Sequence, residues 1–181
     1  MNLHDAPAGI SADLPAEPAF MVEIHTVVNG RPMQCRVRAR QHLADMVRDE
    51  LGLTGTHLGC EHGVCGGCSV LLDGAVVRGC LTLAAQAGGR CVETIEGASE
   101  RGVLRALQEE FARRNAAQCG FCTPGMLLTA HELLESGVRA TRAEIREHIS
   151  GNFCRCTGYQ AIVDAIEAVM ARRGDHRSEA R

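Results

Sequence analysis

From Met21 onward polar and apolar residues alternate, placing Val22, Ile24, Thr26 and Val28 on one face, the period-two pattern of a half-buried strand. Asn29-Gly30 is a two-residue hairpin signal, and Met33, Cys35 and Val37 then alternate with Gln34, Arg36 and Arg38 in a second strand. Leu43, Met46, Val47 and Leu51 follow at helical spacing and stop before Gly52. Beyond a glycine-rich segment, residues 69–72 and 75–77 flank Asp73-Gly74, a second hairpin signal, and residues 91–95 supply one more short strand. This order predicts a small mixed sheet with one helix packed across it, an α+β module.

After Gly97 the period lengthens to about 3.6 residues and stays there. Val103, Leu104, Leu107 and Phe111 form one apolar stripe, Leu127, Ala130 and Leu134 a second, Ile145 and Ile149 a third, and Ile162, Ile166, Val169 and Met170 a fourth. Four short amphipathic helices make a bundle the simplest arrangement. The expected organisation is a flexible N-terminal tail over 1–20, a first domain over 21–96, a helical domain over 97–172 and a solvated C-terminal tail over 173–181.

Composition narrows the partners. Net charge is −3 with a pI near 6.2, and the 19 basic residues, all arginine, are scattered without a long run, which argues against nucleic acid. The tail carries Pro7, Pro15 and Pro18 but neither a basic start nor an apolar run suited to a signal peptide. No stretch approaches the roughly 18 apolar residues of a membrane span, so a cytoplasmic protein is expected. Disulfides are rare there, and the 10 cysteines point instead to metal or redox chemistry.

Eight of those cysteines form two quartets. Cys60, Cys65, Cys68 and Cys80 read C-x4-C-x2-C-x11-C, the plant-type ferredoxin spacing for a [2Fe-2S] cluster. Gly59, Gly63, Gly66 and Gly67 lie around them, so the loop can turn tightly and aim N–H groups at sulfur. Cys119, Cys122, Cys154 and Cys156 form the second quartet, two close pairs held apart by a long insert. Thr123 and Pro124 read as an N-cap and first helical residue, Thr157 with Gln160 as a capping box, and Thr141 with Glu144 as another. Helix N-termini beside these thiols favour an anionic group. Zinc remains open for both quartets on ligand chemistry alone. Of the other cysteines, Cys35 reads as a core thiol and Cys91 is ambiguous between core and surface; His62 lies inside the first loop. His131-Glu132 opens a zinc-protease motif that fails, because Glu135 stands where a second histidine is required.

The runs Gly59-Cys60-Glu61-His62-Gly63-Val64-Cys65-Gly66-Gly67-Cys68, Gln118-Cys119-Gly120-Phe121-Cys122-Thr123-Pro124-Gly125 and Asn152-Phe153-Cys154-Arg155-Cys156-Thr157-Gly158-Tyr159 closely resemble the small iron-sulfur subunit of the molybdenum hydroxylases, relatives of xanthine dehydrogenase, aldehyde oxidoreductase and carbon monoxide dehydrogenase. Gly67 departs from the alanine many relatives carry. The resemblance implies an N-terminal ferredoxin-like β-grasp domain followed by a C-terminal four-helix domain, each with one [2Fe-2S] cluster. It implies a cytoplasmic electron-transfer subunit serving a large molybdopterin-binding subunit, often with the cytosine dinucleotide form, and a medium FAD-binding subunit. Carried over by position, Cys119, Cys122, Cys154 and Cys156 hold the cluster nearer molybdenum, and Cys60, Cys65, Cys68 and Cys80 the one nearer FAD. Gln118 and Cys156 lie within reach of the pterin, and no catalytic residue is expected on this chain. A dimer of heterotrimers is one assembly the family allows. A free ferredoxin-like shuttle is the rival reading, although a lone shuttle has no need of a second helical domain.

Overall fold

The structure is a computed structural model that describes residues 20–179. Residues 1–19 and 180–181, parts of the two expected tails, lie outside the described residues. β1 (Met21–Val28) pairs antiparallel with β2 (Arg31–Arg38), Val28 facing Arg31 across the turn. Asn29 and Gly30 adopt φ of 51° and 77°, the paired left-handed conformation of a type I′ turn. Ile24, Thr26 and Val28 are buried as the alternation predicts, whereas Val22 stays exposed.

α1 (Leu43–Asp45) widens into a π-helical turn, Met46–Glu50, and Leu43, Met46 and Val47 are fully buried. β3 (Ser69–Leu72) and β4 (Ala75–Arg78) form the second hairpin through Asp73-Gly74. With β5 (Cys91–Glu93) they complete a sheet in the order β2-β1-β5-β3-β4, in which β5 runs parallel to β1 and antiparallel to β3. The strand predicted over 91–95 ends early. Asn29 Oδ1 accepts the Thr94 N–H at 2.8 Å, and the chain turns there into α2 (Ile95–Glu100).

α3 (Arg105–Arg113), α4 (Thr123–Glu135), α5 (Arg142–His148) and α6 (Gln160–Glu179) carry the four apolar stripes. Among the described residues five helices therefore follow the sheet, α2 being too short to show a full helical period in sequence. The tail expected over 173–181 is corrected too, since α6 continues to Glu179. Arg172 pairs with Glu110 on α3 and Arg173 with Glu135 on α4, at 2.9 and 2.8 Å. Charge pairing, invisible to a search for apolar stripes, holds that extension.

Two apolar cores result. Ile24, Val37, Leu43, Met46, Val70, Leu72 and Val92 fill one; Leu104, Phe111, Met126, Leu128, Ile145, Ile162 and Ile166 belong to the other. β3 serves both, because alternate residues face opposite sides: Val70 and Leu72 enter the first core while Leu71 enters the second. α4 is fastened to the sheet edge where Glu132 Oε1 accepts the Val76 N–H at 2.6 Å. Inside the helical half, Arg113, Arg114 and Arg172 converge on the buried Glu110 carboxylate. The Arg113 hydrogen bond leads in holding that carboxyl down to about 2 against the opposing push of burial. Among the described residues, no helix is long and apolar enough to cross a membrane.

Candidate metal centres

The first quartet is assembled from the sheet side. Cys68 immediately precedes β3 and Cys80 follows β4, so the hairpin itself brings these two together; both are buried. Gly79 N–H donates to Cys68 O at 3.1 Å across that junction. Cys60 and Cys65 come from the preceding glycine-rich loop, where the Cys65 N–H points at Cys60 Sγ at 3.3 Å. The thiols differ in character. Backbone N–H groups of His62 and then Cys65 hold Cys60 down to about 6, while burial pushes Cys68 up to about 11, opposed by the Cys80 N–H and reinforced by the Cys80 and Cys65 thiols beside it. Cys60 thus offers a thiolate near neutral pH, and the buried Cys68 needs metal coordination to lose its proton.

The second quartet depends on helix packing. Cys119 and Cys122 lie on the turn into α4, and Cys154 and Cys156 on the connection from α5 to α6. The Cys119 and Cys156 sulfurs stand 3.6 Å apart, and Cys122 is within hydrogen-bonding reach of Cys154. Burial, reinforced by Cys154, pushes Cys122 up to about 12. Burial also opposes the Cys154 thiolate, yet the Thr157 hydroxyl, donating to Cys154 Sγ at 3.0 Å, and nearby N–H groups bring its net shift downward.

Two of the three expected caps are corrected. Cys122, one residue earlier than expected, occupies the N-cap of α4, and Thr123 is the first helical residue. Thr157 does not cap α6: its oxygen accepts the Tyr159 N–H at 3.2 Å and its proton goes to Cys154 sulfur. Tyr159, with φ of 67°, separates it from the helix start at Gln160. The Thr141–Glu144 box on α5 forms as expected.

These surroundings fit a sulfur-rich anionic group in each quartet. Four thiols face one another, N–H and hydroxyl donors are aimed among them, and the Thr123 hydroxyl beside Cys122 is buried with no partner, as a donor awaiting a sulfur acceptor would be. Among the described residues no three metal-ligating side chains close tightly around a point one ion could occupy; a binuclear cluster divides its four thiolates between two irons. The remaining residues singled out by sequence separate clearly. Gln118, next to Cys119, is exposed. His62 is exposed with its ring against Cys60 O, Cys35 is half-buried against the first core, and Cys91 is exposed.

Sequence reasoning missed how the two loops meet. The Phe153 N–H donates to Cys65 O at 2.8 Å, a single backbone hydrogen bond between a first-quartet cysteine and the neighbour of Cys154. On one flank His57 stacks on Phe121 with centroids 4.9 Å apart, and its Nδ1 lies 2.7 Å from Phe121 O. On the other, Arg78 of β4 reaches Gly151 O at 2.7 Å and Asn152 Oδ1 at 3.0 Å. Gly66, at φ of 74°, and Gly125 form the seam: a Cβ on Gly125 would sit 2.3 Å from Gly66 O, and one on Gly66 2.6 Å from Gly151 O. Glycine at position 66 is therefore required for loop-to-loop approach. No local signal announces these contacts, because the partners lie far apart in the chain, 64 residues for His57 and Phe121 and 73 and 74 for the two Arg78 contacts, and only the tertiary fold joins them.

Comparison with known proteins gives a consistent picture. A family described as "2Fe-2S iron-sulfur cluster binding domain" matches residues 26–91, and one described as "[2Fe-2S] binding domain" matches 94–167. The chain is 56% identical to the nicotine 6-hydroxylase small subunit of Paenarthrobacter nicotinovorans, over 82% of this chain and 90% of that one. It is 50% identical to caffeine dehydrogenase subunit gamma of Pseudomonas sp. (strain CBB1), over 86% and 95% respectively. A chain of the crystal structure of quinoline 2-oxidoreductase from Pseudomonas putida 86 superposes with a TM-score of 0.79 at 47% identity, covering 88% of this chain and 98% of that one.

Proposed function

The chain belongs to the small iron-sulfur subunits of the molybdenum hydroxylases, the xanthine dehydrogenase family, and from that premise we propose that Cys60, Cys65, Cys68 and Cys80 hold one [2Fe-2S] cluster and Cys119, Cys122, Cys154 and Cys156 the other. It is an electron-transfer subunit of an oxidoreductase complex, with substrate chemistry on another subunit. When bound, the clusters supply one-electron transfer between a large molybdopterin-binding subunit and a medium FAD-binding subunit. The observation that carries this reading is the junction of two thiol quartets through the Phe153 N–H and Cys65 O, which makes the chain a through-connection rather than two separate stores.

The chain's own residues divide the work. The hydrogen bonds of Cys65 N–H and the Thr157 hydroxyl to cysteine sulfur favour the more negative state of whatever those sulfurs hold. Gln118 and Cys156, exposed beside the second quartet, face the molybdopterin subunit; the glutamine amide offers both donor and acceptor to a pterin edge. Near the first quartet Val64 and Leu81 are 46% and 63% exposed, and near the second Phe121 and Phe153 are 47% and 54% exposed. Apolar side chains beside both redox sites suit surfaces that partner subunits cover and keep dry, and they favour the heteromeric reading over a free shuttle.

In finer detail the first half is a plant-type ferredoxin β-grasp and the second a four-helix cluster domain with α2 as its lead-in. The two apolar cores support a division just ahead of α2, slightly earlier than 96/97, because Ile95 already packs against the second core. A cytoplasmic heterotrimer, with pairing of trimers into a dimer as a further step, completes the reading. Gln118→Ala tests its orientation. In the assembled complex, electron transfer from reduced molybdenum slows while both clusters stay loaded, as read by iron content and visible absorption; unchanged transfer removes Gln118 from the pterin contact.

A further inference from the structure

Arg78 stands two residues before Cys80, and its side chain ties together the segments that carry both quartets. Its Nη1 donates to Ser69 Oγ, beside Cys68, and its Nη2 to Gly151 O and Asn152 Oδ1, just before Cys154. Ser69 is itself anchored, donating to Gly66 O at 2.7 Å within the first cysteine loop. Asn152 is 1% exposed, and its Oδ1 also accepts from Thr129 on α4 at 3.3 Å. One guanidinium therefore spans from the sheet, through the first cysteine loop, to the loop of the second quartet and the helix behind it. The planar fork suits this task, presenting several donors in fixed directions, which an ammonium cannot do.

The place of that fork gives it a consequence. The Cys65 O–Phe153 N–H bond lies in the same seam, with Phe153 next to Asn152, and the Asn152 amide that Arg78 holds lies against both Gly66 and Gly125, where a Cβ on Gly66 would sit 2.8 Å from its Oδ1 and one on Gly125 3.2 Å from its Nδ2. The His57–Phe121 stack bridges the opposite flank of the junction, so on the Gly151–Asn152 side the polar strut is the contact that sets the approach. Arg78 bears no charge-matching carboxylate among these contacts; its partners are a hydroxyl, a carbonyl and an amide oxygen, which fix direction and distance rather than neutralise charge. We propose that Arg78 is a positioning residue that sets the separation and electronic coupling of the two clusters by holding the Gly151–Asn152 segment against the first cysteine loop. This role rests on the proposed assignment of the two quartets as cluster sites.

The test uses the complete complex, purified and fully reduced, with electron paramagnetic resonance at low temperature reading both the two cluster signals and the magnetic splitting between them. Wild-type protein lacking either signal defeats the cluster assignment itself and is separate from any result on Arg78. With both signals present, Arg78→Gln is expected to keep the signal of the first cluster, to lose much of the splitting, and to slow electron exchange between the clusters several-fold, because electronic coupling falls steeply with separation. Arg78→Lys restores part of the splitting, and Ser69→Ala, which releases the strut from the sheet side only, gives a smaller loss in the same direction. Selective loss of second-cluster iron in Arg78→Gln, with the first cluster retained, equally supports the role, because it places Arg78 in control of the Cys154 loop. Unchanged splitting and exchange rate, or loss of both clusters together, overturns the proposal.

Discussion

The two cysteine quartets reach similar ligand sets by different routes. The first takes three of its members from the nine-residue span of positions 60–68 and its fourth from a hairpin only a few residues on, so its geometry is mostly local. The second takes two members from the entry to α4 and two from the connection into α6, so it exists only while α4, α5 and α6 are packed. A site built from contiguous backbone tolerates distant change, and a site built from packed helices inherits the stability of its core. The hydroxyls follow the same division: Thr157 donates to a second-quartet sulfur and Thr123 stands ready beside another, while the first loop relies on backbone N–H groups.

The largest effect should come from cutting the packing that only the second quartet needs. Ile162, at the base of α6, is fully buried in the helical core, and Ile162→Ala is expected to cost about 2–5 kcal/mol. Its visible consequence is selective weakening of the second cluster signal on thermal challenge, with the first persisting. Equal loss of both signals would break the comparison, and would identify the β3 wall shared by the cores as the controlling element.

Glu110→Gln comes next. Removing the charge that gathers Arg113, Arg114 and Arg172 is expected to cost about 2 kcal/mol by chemical denaturation, again at the helical half first. The acid limb follows the same residue. Its folded-state carboxyl titrates at about 2, below its ordinary value of 4.5, so its contribution is fully present above that ordinary value and is lost as pH falls through the folded one. The Gln variant should therefore lose its stability deficit relative to wild type in acid.

Thr157→Val sharpens the comparison at a single atom. Without the hydroxyl donor to Cys154, the second cluster's potential should fall by about 60 mV, the equivalent of ~1.4 kcal/mol for one electron, while the first stays fixed in a redox titration followed by electron paramagnetic resonance. Smallest of all, Thr141→Ala removes the N-cap of α5 and should cost about 1 kcal/mol, with both potentials unmoved.

The comparison also explains what could be read from sequence. The Asn29-Gly30 and Asp73-Gly74 turns, the faces of β1 and β2 and the contiguous first cysteine motif are local patterns with local causes, and, Val22 apart, the turns and faces appear where the spacing places them. The cap of α4 lies one residue from its expected place, and Thr157 surrenders its expected cap to a sulfur acceptor, because a nearby thiol competes for the same hydroxyl. α2 and the reach of α6 beyond Arg172 escaped because one is shorter than a recognisable period and the other begins with Arg172 and Arg173 in ion pairs instead of an apolar stripe. Gly66, Gly125 and Asn152 stand inside the cysteine motifs, but their approach to one another and to Arg78 had no local signal, since it arises only across the fold.

Replacing one cysteine in each quartet separates the two sites. In the reduced complex Cys68→Ser should abolish or alter one electron paramagnetic resonance signal and spare the other, and Cys122→Ser should do the converse. Two variants that each remove both signals, or that each leave both unchanged, would contradict an account in which two separately built cluster sites are joined into one conductor.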